Sequence, residues 1–349
     1  MFKKFVKLTS YVLLFFLVAC TSKEFTDDPL SLFKDTPIVL KPTVIDTDQP
    51  VLLGGYVGMI KDSVLAVYSP REDTLLILVD IHRGKVLKRI FSRGQGPEEM
   101  TELRFCPQAN KDQVWIHDPN QAKVFRLDME VIAAIANGTY RFEPTVRLRC
   151  ANLLKTGNYF VGSGSGIADY RFRIFDSKGD SIMSCLHYQK PDIYSNIPDH
   201  VYANAFQGVY TVHPDNKKIA FSTNMSGSIQ FFDFTPEALS LRRDLFFYDP
   251  SFKINNGICI MNRDAKMGFP IIDSDKDYVY TLYAGDKTLW ETVSSLGAKH
   301  ILVFDWNGKP IKRYELEKPV YSFCLNSTGD KIYGIAFDPE SIIVQYNLK

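Results

Sequence analysis

The chain has 349 residues, of which 45% are hydrophobic and 13% aromatic, and it carries 41 basic and 40 acidic side chains. This near balance of charge excludes a strong overall field that would attract nucleic acid, so no nucleic-acid partner is predicted. The many Gly, Pro and aromatic residues favour strands and turns, and an all-β protein of this length often forms a single domain.

The first twenty residues have the pattern of an export signal. Three lysines among the first seven residues precede an apolar run over residues 8–19. This run is too short to span a bilayer, which takes about 20 apolar residues, but it suits a secretory signal peptide. The run ends in Leu17-Val18-Ala19-Cys20, which resembles the bacterial lipobox and implies that Cys20 is lipidated, as with palmitate, and becomes the new N-terminus. The alternative is an ordinary signal peptide followed by a chance cysteine.

Residues 20–36 are polar and are predicted to form a tether. Thr21 follows the cysteine, in place of the Asp that retains well-studied bacterial lipoproteins at the inner membrane. The resemblance therefore implies a lipid-anchored protein of the cell envelope, at the outer membrane, and leaves open whether it faces the periplasm or the outside.

A unit of strand, loop, strand, tight turn and strand occupies residues 62–91. Its apolar runs are rich in β-branched residues, and turn formers such as Gly84 separate them. Five further units follow, at spacings of about 50 residues, and repeats of this size with four short strands are typical of propeller blades. Aligning each unit on the residue that opens its second strand gives Val64, Val114, Tyr159, Ile219, Tyr278 and Ile332.

The sequence thus predicts an all-β fold over residues 37–349, a six-bladed β-propeller of four-stranded blades. The last unit is one strand short, and a spare extended run, Ile38–Ile45, precedes the first unit. We expect this N-terminal strand to complete the last blade and close the ring, because it would satisfy the open edge. A β-sandwich, or two smaller β domains, is the competing architecture.

Two motifs resemble a known family. The stretch His213–Phe221 is similar to the Pro-Asp-Gly hairpin of TolB-type propellers, with Asn216 in place of the usual Gly. The stretch Ser92–Glu99 resembles the Gly-x-Gly-Pro-x-Glu segment of six-bladed, TolB-like propeller lipoproteins of Gram-negative bacteria. Most members of that family lack an assigned activity, so the resemblance implies a fold and a location rather than a reaction.

Three long loops, over residues 187–207, 255–269 and 283–299, are expected on one face of the propeller. Long loops on a rigid scaffold are often functional, and aromatic and amide side chains suit a flat polar ligand such as a sugar or a peptide. Alternatively, the aromatic rings pack on one another to hold the loops in place. The candidate ligand-binding residues of these loops are Tyr194, His200, Tyr202, Asn204, Arg263 and Trp290.

The segment Ser92–Glu99 supplies two further candidates, Arg93 and Glu98. Its glycines can present backbone amides, and the arginine can bind a carboxylate through two parallel hydrogen bonds. The simpler interpretation is a tight turn between blades, with Glu98 paired to Arg93.

A metal site is not indicated by spacing, since the six histidines show no close pairing typical of metal ligands. Some six-bladed propellers are metal-dependent lactonases or lyases, so His117 with Asp118, and His187 with His200, are kept as candidates, and the metal is left unknown. No cofactor is predicted. The five cysteines after Cys20 are widely spaced and are interpreted as free thiols.

These features predict a non-catalytic binding or interaction module that acts through loops on one face. Its partners would be the membrane, through the lipid, and a small molecule, a glycan, a peptide or another envelope protein. The alternative is a metal-dependent propeller hydrolase or lyase with ligands converging on the central channel.

Overall fold

The computed structural model describes residues 26–50, 56–164, 170–188, 194–288 and 297–348. The predicted Cys20 and Trp290 lie outside these residues. The described part of the chain begins with a short 3₁₀ helix and two short strands, whose bounds are Pro29–Leu32, β1 (Ile38–Leu40) and β2 (Thr43–Ile45).

Blades 1 to 3 follow, each an antiparallel sheet that runs from an innermost to an outermost strand. Blade 1 consists of β3 (Val57–Ile60), β4 (Val64–Tyr68), β5 (Thr74–Asp80) and β6 (Lys85–Arg93), with a short parallel β7 (Glu99–Met100) at its edge. Blade 2 consists of β8 (Arg104–Cys106), β9 (Gln113–Asp118), β10 (Lys123–Asp128), the inserted helix α1 (Met129–Ala136) and β11 (Val146–Arg147). Blade 3 consists of β12 (Asn152–Thr156), β13 (Tyr159–Ser163), β14 (Phe172–Phe175) and β15 (Ser181–Cys185).

Blades 4 to 6 complete the ring, with additional elements between blades 3 and 4 and between blades 4 and 5. Helix α2 (Asp199–Ala205) leads into blade 4, formed by β16 (Gly208–Val212), β17 (Lys218–Thr223), β18 (Gly227–Thr235) and β19 (Ala238–Tyr248). A separate hairpin, β20 (Phe252–Asn255) and β21 (Ile258–Met261), precedes blade 5, formed by β22 (Ile271–Ser274), β23 (Tyr278–Tyr283), β24 (Ala298–Asp305) and β25 (Pro310–Val320). Blade 6 contains β26 (Ser322–Leu325), β27 (Lys331–Phe337) and β28 (Ser341–Asn347).

The predicted six-bladed propeller is confirmed, and the six repeat anchors fall on the first or second residue of the second strand of each blade. The middle strands are apolar along their whole length because blades pack face to face and bury both sides of each sheet. Leu75 to Val79 of β5, for example, are completely buried.

The N-terminal strand closes the ring, as expected, but it is divided between two blades. Val44 in β2 pairs antiparallel with Val344 in β28 and supplies the missing strand of blade 6. The preceding β1 pairs in parallel with β25 at the outer edge of blade 5. The break falls at Pro42, whose ring leaves no backbone N–H for a continuous ladder.

The two helices and the additional hairpin were not predicted. The side chain of Asp128, which the repeat pattern places in a loop, accepts a hydrogen bond from Val131 N–H and caps α1. The hairpin turns at Asn256-Gly257, where both residues have positive φ, as a two-residue turn between strands requires. No helix in the described ranges is long and apolar enough to cross a membrane.

We call the end of the ring at which the innermost strands begin the upper face, and the opposite end the lower face. The turns between first and second strands lie on the lower face and bond to one another around the ring. Lys61 N–H donates to Lys111 O at 2.8 Å, and Ser327 N–H donates to an Asp62 oxygen at 2.7 Å. The long loops between blades lie on the upper face, as predicted.

Candidate functional site

The innermost strands of the six blades surround a central cavity of about 340 Å³. Its walls are apolar in the middle of the channel, and its charged side chains lie toward the two ends. The polar and aromatic side chains that line the cavity include those of Tyr56, Tyr68, Glu102, Arg104, Lys111, Trp115, Asn152, Gln207, Asn224 and Asp273.

An ion pair crosses the channel near its lower end. Lys111 follows the innermost strand of blade 2, and its Nζ lies 2.5 Å from Oδ1 of Asp273, on the innermost strand of the opposite blade 5. The other carboxylate oxygen of Asp273 accepts a hydrogen bond from Leu325 N–H at 2.8 Å. This pair restricts the lower end of the channel, so a ligand would enter from the upper face.

A second ion pair lies at the upper end. Arg104 opens β8, and its Nε donates to Oε1 of Glu102 at 2.6 Å. Its Nη1 donates to Ala151 O and to Oδ1 of Asn152, each at 2.9 Å. The guanidinium is therefore held by blades 2 and 3. At the mouth of the channel, Arg104 supplies hydrogen-bond donors and the paired Glu102 supplies acceptors.

The carboxylate of Asp118 fixes the loop that carries Glu102. It accepts hydrogen bonds from the backbone N–H groups of Thr101 and Glu102, at 2.6 and 3.3 Å, and of Gln121, at 3.0 Å. Burial alone would raise the pKa of Asp118, but the hydrogen bonds from Gln121, Thr101 and Glu102 outweigh it and lower this pKa below its ordinary value. The ionised carboxylate of Asp118 thus has a structural role, since it accepts hydrogen bonds from the loops on either side of it.

Two tyrosines complete the upper rim. Burial raises the pKa of Tyr56, and the charge of Arg104 only partly opposes this effect. Burial also raises the pKa of Tyr68, against the opposing charge of Arg93. Both hydroxyls are therefore neutral at physiological pH and available as hydrogen-bond donors and acceptors.

Above the channel a second cavity, which we call the vestibule, shares the side chains of Tyr56, Gln207 and Asn224 with it. The vestibule therefore continues the channel toward the upper surface. Its other lining residues are one amide, a proline and four sulfur-containing side chains: Asn204, Pro270, Met225, Cys259, Met261 and Met267.

Three residues that line the channel have a buried polar atom with no hydrogen-bond partner among the described residues: Oδ1 of Asn224, Nε1 of Trp115 and the hydroxyl of Tyr210. Buried polar groups are nearly always hydrogen-bonded, because an unpaired one costs about 1–3 kcal/mol. These atoms belong to blades 2 and 4 and have almost no accessible surface, so each can meet a ligand in the channel only if its side chain rotates.

The aromatic residues of the loop before blade 4 pack mainly on one another. Tyr202 of α2 is only 4% exposed, and its ring centroid lies 5.8 Å from that of Tyr194 and 4.6 Å from that of Phe206. Tyr194 also packs on Phe252 of the β20–β21 hairpin, at 5.4 Å. These contacts hold the loop against the hairpin, so Tyr194 and Tyr202 serve packing between these two elements.

The segment Ser92–Glu99 forms a turn around one of its own side chains. Oε2 of Glu99 accepts a hydrogen bond from Gly96 N–H at 2.7 Å. A Cβ on Gly94 would lie 2.0 Å from that oxygen, which explains the glycine. Arg93 and Glu98 are both exposed, and the arginine donates to Pro70 O. The glycine-rich segment therefore serves the connection between blades 1 and 2.

Of the predicted binding residues in the described ranges, Asn204 alone lines a cavity of the upper face. His200 and Arg263 are exposed on the same face, outside the channel lining. Sequence reasoning missed Arg104 and Glu102, because it searched the long loops. The sequence feature that could have identified them is their position at the start of a repeat. Arg104 opens the innermost strand of blade 2 and Glu102 comes just before it, and the innermost strand of each repeat is the one nearest the axis.

The histidine candidates for a metal site differ in their surroundings. His117 is fully buried, its Nε2 contacts Ala151 O at 3.2 Å, and burial lowers its pKa to about 4. The His187 ring lies 4.4 Å from that of Tyr170, and His200 is exposed. Among the residues that the structure describes, no three His, Cys, Asp or Glu side chains are grouped to hold a metal ion.

Two solved structures of bacterial proteins share this fold at low sequence identity. A protein from Bacteroides fragilis that is predicted to be exported superposes with a TM-score of 0.54 at 15% identity, over 90% of this chain and 100% of that one. A member of the DUF4221 family from Bacteroides vulgatus superposes with a TM-score of 0.52 at 12% identity, over 88% of this chain and 95% of that one. At these identities the similarity is one of fold. No curated protein matches the sequence.

The family model described as TolB-like 6-blade propeller-like matches residues 42–328, which is most of the propeller. The motifs at His213–Phe221 and Ser92–Glu99 lie within this range. The chain belongs to the TolB-like six-blade propeller family.

Proposed function

We propose that this protein is a binding module of the cell envelope, which takes a small polar ligand at the upper end of its channel. The observation that carries the proposal is a channel that is barred below by the ion pair of Lys111 and Asp273 and opens above on the polar side chains of Tyr56, Gln207 and Asn224. A volume of about 340 Å³ lies within the range of small-molecule sites.

The chemistry of the rim favours an uncharged ligand with many hydrogen-bonding groups. Arg104 and Glu102 neutralise each other, as do Lys111 and Asp273, so the channel has no excess charge to select an ion. Amide side chains and neutral tyrosine hydroxyls both donate and accept hydrogen bonds. Sugars, and the backbone of short peptides, match this set, and we propose a glycan as the first class of ligand.

The binding test is calorimetric titration of the protein with panels of oligosaccharides and short peptides. Asn224→Ala and Gln207→Ala remove amides from the shared part of the channel and the vestibule. Each is expected to weaken binding about tenfold, the effect of about 1.4 kcal/mol. His200→Ala, on the same face but outside the cavities, is the matched control. If it weakens binding as much as the amide variants, the ligand lies on the outer loops and the channel proposal fails.

Thermal unfolding provides a second measurement. A ligand at 100 times its Kd raises the free energy of unfolding by about 2.7 kcal/mol. The same assay with a chelator, and then with Ca²⁺, Zn²⁺ or Mg²⁺, tests the metal-dependent enzyme. A metal-dependent shift in Tm would favour that alternative over a binding module.

We further propose that Cys20 is lipidated and anchors the protein at the outer membrane. Support comes from the lipobox-like Leu17–Cys20 and from the exported relative in Bacteroides fragilis. Mass spectrometry of the N-terminal peptide from membrane-extracted protein tests this directly. The peptide should begin at Cys20 and carry acyl chains, and Cys20→Ser should release the protein from the membrane. A mature N-terminus elsewhere, without lipid, would contradict the anchor.

A further inference from the structure

The β20–β21 hairpin exposes an unusual amount of apolar surface. Ile258, next to its turn, is 62% exposed, and Ile254 and Ile260 are 41% and 38% exposed. Eleven large apolar side chains in the described ranges are more than about a third exposed, and three of them are on this ten-residue hairpin. Ile258 and Ile260 share the face that points away from the vestibule, and Ile254 lies near the tip on the other face. Exposed apolar patches of this kind commonly mark a contact with a membrane or a protein.

The rest of the hairpin is fixed to the propeller, so the patch is held in place. Phe252 packs on Tyr194, and Cys259 and Met261 line the vestibule. Strand β21 also contacts helix α2. The exposed isoleucines thus project from a supported base on the upper face, beside the channel mouth.

The N-terminal segment lies beside the base of the same hairpin. Leu30 and Leu32 pack against the core between blades 4 and 5, in the cluster that contains Tyr248 and Tyr283. Tyr248 ends β19, four residues before the hairpin begins, and Tyr283 ends β23 at the upper face. The chain therefore passes the base of the hairpin as it leads back toward Cys20.

The length of the remaining chain limits how far this face can stand from a membrane. Five residues lie between Cys20 and Thr26, the first described residue, so six Cα–Cα steps join the two. Fully extended, they span roughly 20 Å. Each hairpin strand has four residues and is about 13 Å long. The tip of the hairpin therefore lies within the reach of a lipid attached to Cys20.

The charges near the patch do not oppose this contact. On and near the hairpin, three basic side chains are exposed, at Lys253, Arg263 and Lys266. Two acidic side chains, at Asp249 and Asp264, are exposed in the same region. With only a small positive excess, the contact would be mainly apolar, with isoleucine side chains at the level of the lipid head groups.

We propose that the tip of the β20–β21 hairpin inserts into the lipid surface that carries the anchor, so that the upper face and its channel mouth are held toward the membrane. This inference rests on the lipid anchor proposed above. The hairpin would add a second, apolar membrane contact to that of the lipid.

The test uses the full-length protein, extracted with its own anchor and reconstituted into vesicles that contain brominated phospholipids, which quench tryptophan fluorescence on contact. Ile258→Trp places a reporter at the tip, and Ile182→Trp is the matched control, since Ile182 is 47% exposed on the outer strand of blade 3. The emission of the parent protein is subtracted. We expect the emission added by Ile258→Trp to shift to the blue and be quenched, and that added by Ile182→Trp to be unaffected.

Equal emission and equal quenching for the two variants, with the protein still bound to vesicles, would overturn the proposal. Mass spectrometry of the N-terminal peptide on the same sample keeps a missing anchor separate from a hairpin that does not insert. A blue shift of Ile258→Trp that persists in detergent-free solution without vesicles would also count against it, because it would show a protein contact.

Discussion

At the scale of single residues, several side chains occupy positions that ordinary residues tolerate poorly. Asn216 has a φ of +60°, which is left-handed backbone, and Oδ1 of its side chain accepts a hydrogen bond from Gly157 N–H at 2.8 Å. The sequence places Asn216 where the hairpin that it resembles has glycine. The bond to the neighbouring blade explains why asparagine serves here, since it tolerates positive φ and adds an acceptor.

Substitution of Asn216 separates these two roles. Asn216→Gly keeps the backbone freedom but loses the bond, and should lower the free energy of unfolding by about 1 kcal/mol. Asn216→Ala also forces an alanine into left-handed backbone and should cost about 2 kcal/mol in all. Urea denaturation measures both values. Equal losses in the two variants would show that the backbone conformation contributes little.

His117 should make stability depend on pH. Burial lowers its pKa in the folded protein to about 4, against an ordinary value of 6.5. As pH falls from about 6.5 to about 4, the unfolded chain binds a proton that the folded protein does not, so stability is complete above this window and is lost within it. The loss is at most about 3 kcal/mol.

The measurement is urea denaturation of the parent and of His117→Gln between pH 4 and pH 7.5. Glutamine retains a side-chain N–H for Ala151 O but does not titrate in this range. The difference in unfolding free energy between the two proteins should therefore shrink as the pH falls. Parallel curves would mean that His117 is protonated equally easily in the folded and unfolded states.

At the scale of elements, the N-terminal strands close the ring, and β2 completes blade 6. It contributes three residues to the open edge of blade 6, and β1 contributes three to the edge of blade 5. Both strands lie in one short extended run, Ile38–Ile45, which is why the sequence predicted an N-terminal strand that closes the ring. Pro42 then divides the run, a detail that the apolar pattern did not reveal.

Removal of β1 and β2 should destabilise the whole ring. A chain that begins at Asp46 loses the ladder bonds of both strands, which we expect to cost at least about 3 kcal/mol. It also exposes β28 as an unpaired edge that can pair with another molecule. Calorimetry should show a lower Tm, and size-exclusion chromatography should show dimers or larger species.

The control is a chain that begins at Thr26, which retains both strands and should match the parent in Tm and in size. If the chain that begins at Asp46 is equally stable and monomeric, the ring is closed by packing between blades 6 and 1 alone.

At the scale of the whole molecule, the channel joins residues that are distant in sequence. Lys111 and Asp273 are 162 positions apart and belong to opposite blades, with side chains only 18% and 15% exposed. Their ion pair connects two sides of the ring across its axis. Loss of one partner leaves the other as a poorly solvated charge, which costs more than loss of both.

Lys111→Met should therefore lower the free energy of unfolding by about 2 kcal/mol, a value reduced from that of a fully buried pair because some solvent reaches both groups. The double variant with Asp273→Asn should be less destabilised than Lys111→Met alone, since the amide carries no charge and still accepts the bond from Leu325 N–H. Urea denaturation of the single and double variants forms a double-mutant cycle. Additive losses would show that the two side chains act independently.

The sequence by itself determined the number of blades, their strands and the closing strand, because these depend on local patterns. Apolar runs such as Leu75–Val79 are buried on both faces of a blade, and turn residues such as Asn216 end one strand and start the next. Only the tertiary structure decided where the candidate site lies. Arg104 and Asn152 open the innermost strands of blades 2 and 3, and Asn224 follows the second strand of blade 4. All three line one channel because ring closure brings these blades together. Which side chain of a short strand points to the axis depends on the tilt and spacing of the blades, and no local pattern encodes that.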